Sequence, residues 1–168
     1  MKTIIIIIIL IGVSIAGFFL LSNDATEQQE QQLNKAPNFS LEDYDGNMVV
    51  LSDFSGKIIV VNSWAVWCPF CKKELGDFAR LQEEFKNDIV VIAIDRQESL
   101  KIAKEFTDSE GITHDLILLL DPSDSFYRSI GGFSMPETIF VDREGNIIIH
   151  KRGPMDFNEM KEKILSML

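Results

Sequence analysis

What this chain has least of is cysteine, histidine and positive charge. Two cysteines, Cys68 and Cys71, and two histidines, His114 and His150, occur in its 168 residues. So few cysteines cannot build the disulfide framework of a small secreted scaffold. A zinc site needs four ligands, and the two histidines show no metal-ligand spacing to each other or to the cysteines, so no metal is expected. Lys and Arg number 16 against 26 Asp and Glu, and the net charge of -10 excludes a nucleic-acid partner, because phosphate binding needs a basic surface. Internal repeats are also missing. What two cysteines can still make is one redox pair.

Charge is absent altogether between Lys2 and Asp24, where residues 4–21 are apolar apart from Gly12, Ser14 and Gly17. As a helix this run spans roughly 27 Å, close to the ~30 Å hydrocarbon core of a bilayer. Lys2 precedes it and Asp24, Glu27 and Glu30 follow, so the positive-inside rule places the rest of the chain outside the cytoplasm. We read residues 1–21 as an uncleaved transmembrane anchor in preference to a signal peptide. The small-x-small site Ser14-Ile15-Ala16 falls inside the apolar run, where cleavage does not fit. Residues 22–35 are polar around a single large apolar residue, Leu33, and form a linker. A globular domain is expected over residues 36–168.

Within that domain, Phe39-Ser40-Leu41 and Met48-Val49-Val50-Leu51 flank the Asp45-Gly46 turn signal of a β-hairpin. Residues 58–61 and 89–94 are continuous apolar runs, hence buried strands, and residues 116–120 form a third. Helical spacing follows the cysteines (Leu75, Phe78, Leu81, Phe85) and recurs at Leu100, Ala103 and Phe106. A short helix is expected over residues 125–130. Residues 138–141 and 147–150 read as an antiparallel hairpin, and Asp156 to Glu159 has the form of a capping box before a final helix. Strands separated by helices call for parallel pairing, so the fold class is α/β: a mixed sheet with helices on both faces.

The chemistry centres on Trp64-Ala65-Val66-Trp67-Cys68-Pro69-Phe70-Cys71. Pro69 suits the first turn of a helix, which puts Cys68 at a strand-to-helix turn with unpaired N–H groups facing its sulfur. That position favours the thiolate, the reactive form. As a structural staple so short a loop would contribute only about 2 kcal/mol, so we read the pair as one that opens and closes. Glu74, one turn after Cys71, could pass its proton or simply complement the helix dipole. Trp64 and Trp67 flank the pair, with core packing an equal reading for Trp64. His114 and His150 are given no catalytic role.

The segment from Trp64 to Glu74 resembles the active site of thioredoxin-fold thiol–disulfide oxidoreductases, specifically the TlpA-like branch (ResA/CcmG type) of the AhpC/TSA-redoxin superfamily. Met135-Pro136-Glu137-Thr138 resembles its cis-proline segment, and the likeness covers residues 36–168. The resemblance implies a thioredoxin fold with an N-terminal β-hairpin and an inserted βα element. It implies that Cys68 and Cys71 form the catalytic pair, with Glu74 handling protons. Trp67, Pro69, Met135 and a cis Pro136 would then bind substrate. No cofactor beyond the redox disulfide is called for. The implied partners are a protein disulfide, with apocytochrome c as one client, and a transmembrane thiol donor of electrons. Two departures stand out: Asn62 occupies the place of a buried aspartate in thioredoxins proper, and Gly76 that of a helix-kinking proline. Alternative functions are a thiol peroxidase of the peroxiredoxin type and a tethered module that binds without catalysis. The peroxidase is disfavoured by Ala65 and Val61, which stand where peroxiredoxins carry a hydroxyl residue and a proline.

Overall fold

The computed structural model describes residues 35–168, of which Ala36–Leu168 form one compact unit. The expected anchor (1–21) and nearly all of the linker (22–35) lie outside the described residues. No helix among the described residues is long and apolar enough to cross a membrane.

Seven strands make one sheet in the order β2-β1-β5-β4-β3-β6-β7. The first two, β1 (Ser40–Asp43) and β2 (Met48–Val50), form the expected hairpin. Its turn is organised by Asp43, whose Oδ1 accepts the Asp45 and Asn47 N–H groups. Gly46 takes the left-handed φ of +84° that the turn requires. Leu51–Phe54 is a single 3-10 turn. The central strands β3 (Ile58–Trp64), β4 (Ile89–Arg96) and β5 (Ile117–Asp121) run parallel. Strands β6 (Glu137–Val141) and β7 (Ile147–Arg152) run antiparallel beside β3.

Continuous apolar runs in β3 and β4 follow from burial on both faces. Ile58, Val60 and Trp64 join α1 (Pro69–Glu84), α2 (Leu100–Ser109) and α4 (Phe157–Leu165) in one core. Ile59, Val61, Ile92 and Ile94 meet Phe39, Leu51 and α3 (Ser125–Ser129) in the other. Between α1 and Pro136 the chain thus carries two strands and two helices, which supplies the inserted βα element. One local expectation is only half met. Asp156 caps α4 by accepting the Glu159 N–H at 2.9 Å, but the Glu159 carboxylate pairs with Lys151 (2.8 Å) and Lys163 (3.3 Å) instead of completing a box.

Candidate active site

The buried strand β3 delivers the chain to one end of the sheet, where residues 65–67 turn it into α1. Cys68 is the N-cap of that helix and Pro69 its first residue, where the missing N–H costs nothing. The Cys71 N–H points back at Cys68 Sγ, 3.2 Å away, as the turn geometry requires. Cys68 and Cys71 are joined as a disulfide with a Cα–Cα distance of 5.3 Å. Both cysteines are almost sealed from solvent, while Trp67, just before Cys68, and Phe70, just before Cys71, are 60% and 59% exposed. The two tryptophans therefore part company: Trp64 is wholly buried core, and Trp67 is surface.

The antiparallel register sets Ser63 opposite Glu137, so Pro136 comes level with the end of β3. The Met135–Pro136 peptide bond is cis. Pro136 is buried and its carbonyl accepts the Gly153 N–H at 2.9 Å. Met135 packs against the core that contains both cysteines. Its backbone N–H and C=O have no hydrogen-bond partner among the described residues, which leaves an open edge for an extended chain. The loop before it is fastened twice. Glu137, fully buried, accepts the Phe133 and Ser134 N–H groups (2.9 and 3.2 Å) and pairs with Arg152 at 3.0 Å. Tyr127 donates its hydroxyl to the Ser134 carbonyl at 2.9 Å. His150 comes within 2.7 Å of Glu137 Oε1 without hydrogen-bond alignment, so it belongs to this fastening and not to the redox pair.

Glu74 faces inward from α1 and is 2% exposed. Its Oε1 accepts from Asn62 Nδ2 and its Oε2 from the Met155 N–H, both at 3.0 Å. Asn62 also donates to Thr138 Oγ1 at 3.0 Å, tying β3, β6 and α1 together. Burial raises the Glu74 carboxyl to about 7, against the opposing pull of the Met155 and Asn62 donors. Glu74 lines a cleft of about 330 Å³ together with Phe70, Lys73, Asp77 and Met155. A group poised near neutrality, one turn from Cys71, can give and take a proton there. Nothing at one position in the sequence foretold Met155 or Glu137 in these roles. Asn62 did leave a signal: it is a polar side chain directly after the apolar run 58–61. Among the described residues no cluster of three or more metal-ligating side chains occurs.

The AhpC/TSA family model matches residues 33–150. Thiol-disulfide oxidoreductase ResA of Bacillus thuringiensis subsp. konkukian is 27% identical over 94% of this chain and 91% of its own. ResA of Bacillus subtilis is 31% identical over 71% of this chain and 66% of its own. Among solved structures, a putative thiol:disulfide interchange protein DsbE from Chlorobium tepidum superposes with a TM-score of 0.74 at 26% identity, covering 80% of this chain and 95% of that one. A putative protein disulfide isomerase from Bacteroides thetaiotaomicron gives a TM-score of 0.72 at 30% identity, covering 80% and 88%. The matched residues 33–150 span β3, both cysteines and the proline loop of this chain. The chain belongs to the AhpC/TSA family, as a thiol–disulfide oxidoreductase of thioredoxin fold.

Proposed function

We propose that this oxidoreductase reduces protein disulfides outside the cytoplasm, held at the membrane by residues 1–21. The observation that carries the reaction is the Cys71 N–H aimed at Cys68 Sγ from the helix N-terminus, which favours a thiolate on Cys68. In the reduced enzyme, Cys68 Sγ attacks one sulfur of the substrate disulfide and the other substrate sulfur leaves as a thiolate. Cys71, having passed its proton to Glu74, attacks Cys68 Sγ in the mixed disulfide. The second substrate sulfur leaves and takes a proton, and the Cys68–Cys71 disulfide remains. Two electrons have moved from enzyme to substrate. During the exchange the substrate chain lies along the open backbone of Met135 beside Pro136, against Trp67 and Pro69.

Resemblance to the TlpA-like branch supports reduction as the working direction, a transmembrane thiol donor as the electron source and apocytochrome c as a client. The peroxidase alternative lacks its peroxide-activating groups. Buried Ala65 and Val61 offer neither a hydroxyl nor a proline beside Cys68. The test is a Cys71→Ser chain expressed in cells, where a mixed disulfide through Cys68 should accumulate with its client. Failure to trap any partner, together with no reduction of insulin by the purified chain, would sink the proposal. A reduction potential as high as that of strong oxidants would reverse the direction.

A further inference from the structure

A pair of acids lies beside the redox loop, on the neighbour of β3 that does not carry the proline segment. The parallel register of β3 and β4 sets Asp95 against Trp64, at the same end of the sheet as the cysteines. Asp95 is wholly buried. Its Oδ1 accepts the Glu98 N–H at 3.2 Å, and its Oδ2 is sealed from solvent with no donor. The turn that brings Glu98 back over this carboxyl runs through Gln97, at a left-handed φ of +61° that side chains rarely adopt. From there Glu98 Oε2 accepts the Val66 N–H at 2.7 Å. Val66 is two residues before Cys68. A half-buried carboxylate on one turn thus grips the backbone of the loop that presents Trp67 and Cys68.

The chemistry of the pair is incomplete without a proton. Ionised carboxylates only accept hydrogen bonds, so two of them together leave Asp95 Oδ2 with neither donor nor counter-ion in a dry site. One shared proton supplies the missing donor and removes one of two like charges. Burial first, and Glu98 second, push the Asp95 carboxyl up to about 8. The surroundings bring no relief. Tyr44, from the β1–β2 turn, is kept protonated by burial and by the charges of Asp95, Asp108 and Glu98. Arg96, the next residue of β4, is spent on Asp124, and Lys72 of α1 lies over the Phe106 ring.

We propose that Asp95 and Glu98 share a single proton and act as a positioning pair, fixing the redox loop through the Glu98–Val66 hydrogen bond and releasing it when that proton is lost. The consequence for disulfide exchange rests on the function proposed above; the loop behaviour itself does not. The test uses the full chain, nitrogen-15 labelled and kept oxidised so that no thiol titrates. The Val66 amide resonance should move with an inflection near that of the pair as pH is raised from about 6 to 10, and its exchange protection should fall by about tenfold over the same range. Asp95→Asn, neutral at every pH and still an acceptor for the Glu98 N–H, should abolish the inflection, while Glu74→Gln should keep it. If Asp95→Asn does not fold, Glu98→Gln takes its place, with the same flat response expected. In the reduced chain, the rate of Cys68 with a small aromatic disulfide should lose one inflection in the same variant and keep that of the thiol. A Val66 amide that does not titrate in the wild type, or titrates unchanged in the folded acid variant, overturns the proposal. Because this readout involves no turnover, it can fail while the Cys71→Ser trap succeeds, and the reverse.

Discussion

Glu74 makes the stability of this protein depend on pH in the direction opposite to most acidic side chains. In the unfolded chain its carboxyl titrates at an ordinary 4.5, and in the fold burial raises it to about 7. Between those values the folded protein holds a proton that the unfolded chain has released. Stability therefore falls as pH rises through this window and levels off above it. Integrated from about pH 5 to about pH 8, the loss is about 2.5 kcal/mol for this one group. Asp95, also raised, tilts the curve the same way, so the wild-type slope alone does not isolate Glu74. Glu74→Gln does. The amide cannot ionise, but its NH2 faces a donor, either Asn62 Nδ2 or the Met155 N–H, a pH-independent cost of about 1–3 kcal/mol against the protonated wild type. Urea unfolding of the oxidised chain at the two pH values should show the variant clearly weaker than wild type under acid conditions and close to it under alkaline ones. The wild-type drop should exceed the variant drop by about 2.5 kcal/mol. Parallel drops would mean that Glu74 is already ionised in the fold, and the case for it as a proton carrier near neutrality would go with it.

Other substitutions test other joints of the site. Gly132→Ala would put a Cβ at 2.5 Å from the Tyr127 ring, which is pinned by its hydroxyl to Ser134 and by the Arg96 guanidinium 3.4 Å from its centroid. Thermal unfolding should register a loss of about 1–3 kcal/mol, and insulin reduction should slow more than reaction with a small disulfide. Arg96→Ala removes both hydrogen bonds to Asp124, at 2.6 and 2.7 Å, and leaves that buried carboxylate without its cation. About 3 kcal/mol of stability should disappear in urea unfolding. Trp67→Ala should leave unfolding within about 0.5 kcal/mol of wild type, because the side chain is exposed, yet raise KM for protein disulfides by about tenfold in a reductase assay. A large stability loss there would make Trp67 a core residue after all.

The sequence and the fold agree most closely where the signals are local. Apolar residues 58–61, Pro69 and the cysteine spacing specify strand, turn and helix start between residues 58 and 71, and the N-cap at Cys68 follows. Pro136 was legible only through resemblance, since nothing in its neighbours distinguishes a docking edge from a loop end. The pairing of β1 with β5 left no local trace, because strand partners far apart in the chain are chosen by packing. Burial of Glu74 was hidden for the same reason. Helical spacing places it below Cys71, but the closing of Met155 over it is a contact across 81 residues. The β5 boundary moved by one residue, from Leu116 to Ile117, within the ordinary fraying of element ends. Asn62 and Asp95 are polar side chains that follow the apolar runs 58–61 and 89–94, as Asp121 ends β5.

Three buried acids surround the redox pair, and their neighbours sort them by task. Glu137 has an arginine and two backbone N–H donors, the full compensation that a fastener of the proline loop needs. Asp95 has one donor and a second acid, which suits a shared proton that stays put through most of the neutral range. Glu74 lies between these extremes, with two donors and no cation in contact. That partial compensation is what brings its carboxyl to about 7, where either protonation state can be reached during a turnover. A third donor or a paired lysine would fix the charge, and the loss of Asn62 would fix the proton. Asn62→Ala should accordingly raise the Glu74 carboxyl further, stretch the alkaline instability to higher pH, and slow resolution by Cys71 without touching the first attack by Cys68. If single-turnover mixing shows both steps slowed alike, Asn62 supports the strand and not the proton.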